Sequence, residues 1–264
     1  MDLFIHTYGR VNDQQTLKTL SMELCKRTYL VVQQREQAAW ERRGIPANVI
    51  LLVLPAAIQT LSPTRQWILE WAAKKGLPRI CMMDDDLRFS HREAGSGTKL
   101  FQSKDKHVED MFFMLDEMLQ TGYLHAGISA REGNNHNEKD FAVNTRMMRV
   151  LAYQPAKVLK TGARFDRLRT KQDFDMTLQL LRLGHKNIVR YDFAQDQGGS
   201  QTSGGCATYR TPQMMAEDAE NLRQLHPDFV KVVEKTTKGA WGGGKRVDVT
   251  IAWKKAYESS QVEK

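Results

Sequence analysis

The chain has 264 residues, of which 41% are hydrophobic and 27% are charged, and its formal net charge is +8. A chain of this length forms one large globular domain or two small ones, with a substantial buried core. The longest apolar stretch, residues 49–58, contains Pro55 and is too short to span a bilayer, and the amino terminus lacks a signal-peptide pattern, so we expect neither a membrane span nor secretion.

The first half of the chain alternates strand and helix patterns with short connections. Apolar runs predict strands at residues 3–7, 29–33, 49–54 and 79–83, and periodicity with capping residues predicts helices at 13–26, 36–43 and 62–76. Ser62 is the expected N-cap of the last of these helices. Four such alternations predict right-handed crossovers and a doubly wound, mostly parallel sheet, in which ligands bind at the carboxyl ends of the strands.

The second half of the chain is less regular. Its patterns predict helices at 105–120, 173–183 and 211–225 and strands at 123–129, 188–193 and 247–253. Residues 131–137 read as a polar loop that is not expected to pack in a core. The segments 195–206 and 241–244 are rich in glycine and are typical of mobile binding loops. No repeat or linker divides the chain, so we expect one domain over residues 1–264.

Basic residues are concentrated in this second half. Residues 142–171 contain eight basic side chains against one acid, and residues 231–264 contain eight against four. This distribution favours a polyanionic partner, with nucleic acid first and acidic polysaccharide second. A solvated basic face without a partner is the alternative.

The three cysteines, Cys25, Cys81 and Cys206, are widely spaced and include no CxxC pair. Their odd number and spacing argue against a disulfide framework or a zinc site. A reducing cytoplasm is therefore the expected location.

Three consecutive aspartates, Asp84, Asp85 and Asp86, follow the predicted strand at 79–83 directly. In an extended segment Asp84 and Asp86 would share one side, while Asp85 would point away and tolerate substitution better, unless the strand ends before Asp84. Paired carboxylates need a cation or several donors nearby, and Mg²⁺ or Mn²⁺ holding a diphosphate is the natural candidate. A solvated acidic turn is the alternative.

An Asp-x-Asp sequence at a strand end of a Rossmann-like half is typical of nucleotide-sugar transferases of the glycosyltransferase A type. A metal held by Asp86, with Asp84 facing the ribose or sharing the metal, would neutralise the departing diphosphate. The chain has no G-x-G-x-x-G after the first strand and no G-x-x-x-x-G-K-[ST], so dinucleotide-binding and P-loop folds are disfavoured.

Four segments together resemble the TET/JBP-associated glycosyltransferases: FIHTYGR at 4–10, MDDDL at 83–87, AGISAREGNN at 126–135 and DFDMTLQLL at 173–181. That family is encoded largely by bacteriophages and is thought to glycosylate hydroxymethylated pyrimidines in DNA. The resemblance implies a glycosyltransferase A-like α/β fold, a Rossmann-type mostly parallel sheet flanked by helices with a mixed second half. Residues 1–100 would bind the nucleotide sugar and residues 101–264 the acceptor DNA, in the cytoplasm of an infected bacterial host.

The resemblance also implies residues of the donor site. Thr7, Tyr8 and Arg10 would contact the nucleotide, together with Asp84 and Asp85. Residues near the donor base or phosphates would be Gln34, Arg35, Glu36 and Arg65. A solvated helix start at 34–36 and a surface role for Arg65 are the alternatives.

Asp173 is the candidate general base, and Asp175 is the reserve. Family members tend to carry a Glu-Asp pair here, whereas this chain has Gln172 before Asp173, and Asp173 could instead be a plain N-cap. Transferases of this fold often add a histidine to the metal, so Asp84 and Asp86 would be joined by His226, although a lone histidine is more often structural.

The acceptor side would be formed by polar loop residues and basic residues of the second half. A flipped nucleotide needs a pocket of such groups. The candidates are Arg131, Asn134, Asn135, His136, Lys160, Arg164, Arg167, Arg169 and Arg210. A turn with special backbone geometry, for the first four, and solvated surface cations, for the others, are the alternatives.

These expectations combine into one hypothesis. The protein would transfer a sugar from a nucleotide sugar, a UDP-sugar in the first instance, to 5-hydroxymethylcytosine in phage DNA with Mn²⁺ or Mg²⁺, and no membrane or protein partner is expected. Competing hypotheses are a transferase of the same fold, or a nucleotidyltransferase, acting on carbohydrate or protein, and a catalytically inactive DNA-binding relative. The sequence leaves the sugar, the base and the stereochemical outcome open.

Overall fold

The computed structural model describes residues 1–197, 204–237 and 244–262. The strands in these ranges are β1 (Asp2–His6), β2 (Thr28–Val32), β3 (Ile50–Val53), β4 (Ile80–Met83), β5 (Leu87–Arg92), β6 (Leu100–Gln102), β7 (His125–Ala130), β8 (Phe141–Val143), β9 (Val150–Tyr153), β10 (Ile188–Gln197), β11 (Val230–Thr237) and β12 (Gly244–Ile251). The helices are α1 (Gln15–Lys18), α2 (Met22–Cys25), α3 (Gln37–Arg43), α4 (Leu61–Lys74), α5 (Asp105–Gln120), α6 (Arg131–Asn134), α7 (Pro155–Lys160), α8 (Gln172–Arg182), α9 (Pro212–Leu225) and α10 (Trp253–Val262).

Ten of the described strands form one sheet in the order β3-β2-β1-β4-β9-β7-β10-β5-β6, with β8 paired to β10. Strands β3, β2, β1 and β4 are parallel neighbours, as the alternating first half predicts. Strand β9 runs antiparallel to both β4 and β7, so the second half of the sheet is mixed. The predicted α/β fold, with a parallel first half and a mixed second half, is confirmed.

Alternating side chains of the parallel strands enter two different cores. Leu3 and Ile5 of β1 pack on one face of the sheet with α5, while Phe4 packs on the other face with Ile68 of α4 and Val158 of α7. Burial on both faces explains why these strands read as nearly continuous apolar runs. The two helical layers leave the carboxyl ends of β1, β2 and β4 as a common edge where polar residues follow.

Several helix boundaries differ from the predictions for identifiable reasons. The predicted helix at 13–26 is two short helices, because Ser21 accepts a hydrogen bond from the Leu24 amide and starts α2 anew. Helix α4 begins at Leu61 after Thr60, and the Ser62 hydroxyl donates instead to the Phe165 carbonyl at 2.7 Å. Helices α5 and α9 match their predicted bounds.

A third core at the carboxyl-terminal end contains elements that the sequence patterns missed. Strands β11 and β12 form an antiparallel hairpin, and its apolar side packs with α8, α9 and α10 around Leu222 and Val249. Only the second of these strands was predicted, and α10 was not. Of the two predicted mobile segments, residues 198–203 and 241–243 lie outside the described residues.

Candidate active site

A cleft of about 760 Å³ opens at the carboxyl ends of β1, β2 and β4. One wall is formed by residues that directly follow these strands, including Thr7, Gln33 and Asp84. The start of α8 and the hairpin β11–β12 also line the cleft. The cleft therefore joins the parallel half of the sheet to the third core, at the edge where open α/β sheets bind their ligands.

Asp84 is held by two cationic or polar partners. Its Oδ1 lies 2.8 Å from Arg65 Nη2 and 3.1 Å from His6 Nε2, and Arg65 is almost completely buried. Burial alone would raise the pKa of Asp84, but the His6 hydrogen bond and the Arg65 charge outweigh it and hold the pKa well below its usual range. Asp84 is thus a fixed carboxylate that remains ionised at any physiological pH.

The Asp85 side chain is buried, although we expected it to point away from the site and to tolerate substitution. Strand β4 ends at Met83, so the side-chain alternation does not extend to the aspartates. The Asp85 carboxylate is buried, accepts a 2.5 Å hydrogen bond from Thr7 Oγ1 and forms a close ion pair with Arg10. The expected tolerance of Asp85 to substitution is therefore not supported, because its loss would leave Arg10 and Thr7 without this partner.

Asp86 is the least satisfied of the three carboxylates. Its Oδ2 lies 3.1 Å from Arg10 Nη1, but its Oδ1 is buried and has no hydrogen-bond partner among the described residues. Burial, together with the charges of Asp84 and Asp85, raises the pKa of Asp86 to about 6, although Arg10 opposes the shift. A buried carboxylate oxygen without a donor, beside two other carboxylates, is the environment that a cation would relieve.

The oxygen donors fit a hard divalent metal with few protein ligands. Asp84 and Asp86 offer carboxylate oxygens, and Mg²⁺ commonly takes one or two carboxylates and completes its shell with phosphate oxygens and water. No group of three or more His, Cys, Asp or Glu side chains in the described ranges is arranged to hold a metal. A metal here would therefore depend on ligands from the substrate.

The expected third ligand, His226, belongs to a different cluster. It is fully buried at the end of α9, with Nε2 2.7 Å from Asp175 Oδ1 and Nδ1 3.0 Å from Arg182 Nη1. Asp175 is also fully buried and lies 3.3 Å from Arg167 Nε. None of these residues lines the cleft. The expectations of His226 as a metal ligand and Asp175 as a reserve base are wrong, because both are buried in an internal hydrogen-bonded network. Arg167 lies at the exposed edge of this network.

Asp173 faces the cleft from the first turn of α8. The helix begins at Gln172 with Lys171 in the N-cap position, so the alternative that Asp173 is the N-cap is wrong. The Asp173 side chain is half-buried and lines the cleft, and no hydrogen bond to its carboxylate is present in the described part of the chain. Its carboxylate can therefore accept a proton from a bound molecule.

The turn after β1 is covered by residues 204–210. The Gly205 amide donates to the Tyr8 carbonyl at 2.7 Å, and a Cβ atom on Gly204 would lie only 2.6 Å from Arg10 Cγ. Gly204 has φ of 92°, which also favours glycine. Tyr209 donates its hydroxyl to Cys206 Sγ at 3.1 Å and accepts from the Leu61 amide, which ties this segment to the start of α4.

The residues expected near the donor base are shifted by one position. Gln33 is buried and lines the cleft, whereas Gln34 is exposed and does not. Arg35 stacks over the Tyr8 ring at 4.6 Å, and Glu36 Oε1 accepts from the Gly9 amide at 2.6 Å. These two side chains therefore support the turn after β1 from behind.

The acceptor candidates divide into two groups. Arg169 and Arg210 line the cleft. Seven of the nine do not: Arg131, Asn134, Asn135, His136, Lys160, Arg164 and Arg167. Asn134 is 1% exposed and anchors Arg92, contrary to the expected solvated loop, and Arg131 donates to Ser90 Oγ at 2.7 Å. Arg164 pairs with Asp166 on the surface.

Several residues lining the cleft were missed by the sequence analysis. His6 is the last residue of β1, whereas the predicted strand continued to residue 7, so the sequence did not mark His6 as a strand end. The hairpin residues Lys235, Arg246 and Asp248 also line the cleft. Polar and apolar residues alternate in part over residues 230–251, but only the end of this region, from residue 247, was predicted to form a strand.

The geometry can be compared with known proteins. A family model described as "TET-Associated Glycosyltransferase" matches residues 1–205, which is more than half of the chain. The chain belongs to this family. The match includes β1 to β10 and the whole carboxylate cluster, whereas α9, α10 and the hairpin β11–β12 lie beyond it. A search of curated proteins gave no match.

One solved structure shares the fold of this family member at low sequence identity. Glucosyl-3-phosphoglycerate synthase from Mycobacterium tuberculosis, in complex with Mn²⁺, UDP and phosphoglyceric acid, is 10% identical with a TM-score of 0.51, over 100% of this chain and 90% of that one. The same enzyme with Mg²⁺ and UDP has a TM-score of 0.49 at 10% identity, covering 93% and 85% of the two chains. Within the described ranges, no helix combines the length and apolar composition needed to cross a bilayer.

Proposed function

We propose that this family member transfers a sugar from a UDP-sugar to the hydroxyl group of a hydroxymethylated pyrimidine, 5-hydroxymethylcytosine in the first instance, in phage DNA. The single observation that carries the proposal is the pairing of two carboxylates in one cleft. Asp86 has a buried oxygen without a donor, and Asp173 has a carboxylate without a hydrogen bond in the described ranges. The first suits a metal and diphosphate, and the second suits a general base.

The donor would lie against the turns after β1, β2 and β4, in the half formed by residues 1–100. Mn²⁺ or Mg²⁺ bound to Asp84 and Asp86 would neutralise the charge of the departing diphosphate. Arg65 is buried beside Asp84 in the second turn of α4, and its Nε has no hydrogen-bond partner among the described residues, so it can point a donor toward the phosphates. Mn²⁺ and UDP are present in a solved structure of similar fold, which motivates the choice of donor.

The transfer step follows from the position of Asp173. The acceptor oxygen forms a bond with the anomeric carbon of the sugar, and the bond between that carbon and the diphosphate breaks, with its electron pair leaving on UDP. Asp173 takes the proton of the acceptor hydroxyl, a contribution that is typically worth 10²–10⁴-fold in rate. The basic second half, residues 101–264, would hold the acceptor DNA, and the host cytoplasm would supply both substrates.

Mass analysis of nucleosides tests the proposal. The purified protein is incubated with 5-hydroxymethylcytosine DNA, Mn²⁺ and a panel of nucleotide sugars, and the DNA is then digested and its nucleosides are weighed. We expect a hexose or pentose mass increment on hydroxymethylcytosine only, and its loss in Asp86→Asn and Asp173→Asn. Asp110→Asn, an exposed change on α5, is the matched control.

Four outcomes would contradict the proposal in different ways. The absence of any mass increment with every donor refutes a DNA acceptor. Equal labelling of unmodified DNA refutes the hydroxymethyl group as acceptor. Transfer to a carbohydrate or protein in the absence of DNA would favour the competing transferase, and DNA binding without donor turnover would favour an inactive relative.

A further inference from the structure

The hairpin β11–β12 has one apolar side and one polar side. In its register Lys235 lies opposite Arg246, Val233 opposite Asp248 and Lys231 opposite Thr250. Because side chains alternate along a strand, these pairs share one side of the ribbon. The other side carries Val232, Val247 and Val249, which belong to the third core with α8, α9 and α10. The core thus fixes which side of the hairpin remains available.

Charged residues of the polar side of the hairpin line the cleft, which Val249 and Ile251 of the apolar side also reach. These charged residues are Lys235, Arg246 and Asp248. Asp248 Oδ1 also lies 4.0 Å from Lys171 Nζ, and Lys171 immediately precedes α8, two positions before Asp173. The hairpin is therefore connected to the same turn of the chain that presents the candidate base.

Positive charge on this side exceeds what Asp248 can neutralise. Asp248 Oδ2 lies 3.0 Å from Lys235 Nζ and 3.2 Å from Arg246 Nη2, so one carboxylate faces three cations when Lys171 is included. Arg246 Nε is buried without a hydrogen-bond partner among the described residues. Lys231, on the same side, is exposed, and within the described ranges it takes part in no ion pair.

The cations form a row rather than a point. Lys231 and Lys235 are four residues apart on one strand, which places them about 13 Å apart. A compact diphosphate would need its donors focused on one position, whereas a row of cations along a strand suits the repeated phosphates of a polynucleotide. In addition, residues 231–264 supply half of the net charge of the chain.

We propose that the polar side of the hairpin β11–β12 binds the phosphate backbone of the acceptor DNA, with Lys235 and Arg246 as the central contacts. The proposal rests on the proposed function, because it assumes a polynucleotide acceptor. It assigns this role to a part of the chain beyond the residues 1–205 that the family model matches. It also differs from the expected phosphate contacts Lys160, Arg164 and Arg167, none of which lines the cleft.

The test is the salt dependence of DNA binding by the full chain. Dissociation constants are measured by fluorescence anisotropy with a labelled 5-hydroxymethylcytosine duplex between 50 and 200 mM salt, the range in which phosphate contacts weaken measurably. Each lost phosphate contact should weaken binding about eightfold at 0.1 M salt and lower the logarithmic salt slope by about 0.9. Lys235→Ala with Arg246→Ala should therefore weaken binding at least tenfold and reduce the slope by about 2.

Two matched variants distinguish the loss of these two DNA contacts from a general loss of positive charge and from misfolding. Lys245→Ala with Lys106→Ala removes the same charge, but Lys245 lies on the other side of the hairpin, paired with Glu234 at 3.1 Å, and Lys106 is exposed on α5. This control should change binding less than twofold. Lys235→Arg with Arg246→Lys preserves both charges and should restore binding to within about threefold of the wild-type chain.

The outcomes refute the proposal or the proposed function separately. Wild-type affinity and slope in the double alanine variant, or an equal loss in the control, would overturn the role of the hairpin. Failure of the charge-preserving variant to restore binding would show that positive charge at these two positions does not hold the DNA, and would equally overturn the role of the hairpin. UDP binding by the wild-type protein is measured in the same preparations. Its absence would refute the proposed function, while the hairpin result depends only on DNA binding.

Discussion

The Asp86→Asn substitution removes a charge that the folded protein accommodates poorly, so it should stabilise the protein while abolishing transfer. The pKa of Asp86 rises from 3.8 to about 6 on folding. Each pKa unit corresponds to about 1.4 kcal/mol, so ionised Asp86 lowers the free energy of unfolding by about 3 kcal/mol at neutral pH. For a chain of this size the melting temperature of the variant should be higher by roughly 6–12 °C at pH 7.5.

The pH dependence gives this prediction a sign that can be tested. The native state holds the Asp86 proton up to about pH 6, whereas the unfolded chain releases it near 3.8. Stability contributed by protonated Asp86 is therefore present below pH 3.8, is lost as pH rises to about 6, and does not change further above it. The difference in unfolding free energy between Asp86→Asn and wild type should be close to zero at pH 4 and about 3 kcal/mol at pH 7.5.

Urea denaturation of the metal-free proteins at these two pH values measures the difference. Asp110→Asn on the exposed face of α5 is the control, and its free energy of unfolding should equal that of wild type at either pH. A wild-type protein that is more stable than Asp86→Asn at pH 7.5 would refute the reasoning, because Asp86 would then be a satisfied carboxylate. A difference in unfolding free energy between Asp86→Asn and wild type that is equal at pH 4 and pH 7.5 would contradict the electrostatic cause.

Three further predictions concern neighbouring residues. Asp84→Asn should destabilise the protein, in contrast to Asp86→Asn, and lower the free energy of unfolding by about 2–3 kcal/mol at pH 7.5 in urea denaturation, because it leaves the buried Arg65 without its carboxylate. This loss should shrink as pH falls below 3.8, and a variant more stable than wild type would contradict the prediction. Asp173→Asn should lower kcat about 10²-fold or more in steady-state assays with little change in the KM for the donor, and a rise in KM at constant kcat would exclude a role as base. Gly204→Ala should raise the KM for the donor several-fold, because its Cβ would force Arg10 to move, and unaltered kinetics would show that the 204–210 segment does not shape the donor site.

Local patterns were enough to predict the first half of the site. The apolar run at 80–83 identifies β4, and the aspartates that follow it had to lie at the carboxyl edge of a parallel sheet, where the structure places them. Helix α5 matches its predicted bounds because the apolar spacing that buries Val108, Phe112 and Leu115 is continuous over sixteen residues. Such features depend only on neighbours in sequence.

Features that depend on distant residues were not accessible from the patterns. Asp175 and His226 are 51 residues apart, and only the packing of α8 against the end of α9 brings them to 2.7 Å and removes both from the candidate site. Asn134 is another example, because it is buried by contacts with Arg92 of β5 and Tyr191 of β10, which are distant in sequence. Strand β11 contains several charged residues and was not predicted from its sequence, and its pairing with β12 shows which of its side chains share one side of the hairpin.

Calorimetric titration of UDP into the protein, with and without Mn²⁺, tests most directly whether Asp86 marks a metal and diphosphate site. We expect Mn²⁺ to tighten UDP binding to the wild-type chain at least tenfold and Asp86→Asn to lose this enhancement, while Asp110→Asn retains it. UDP binding to wild type that does not change with Mn²⁺, or a full enhancement in Asp86→Asn, would show that Asp86 does not mark such a site.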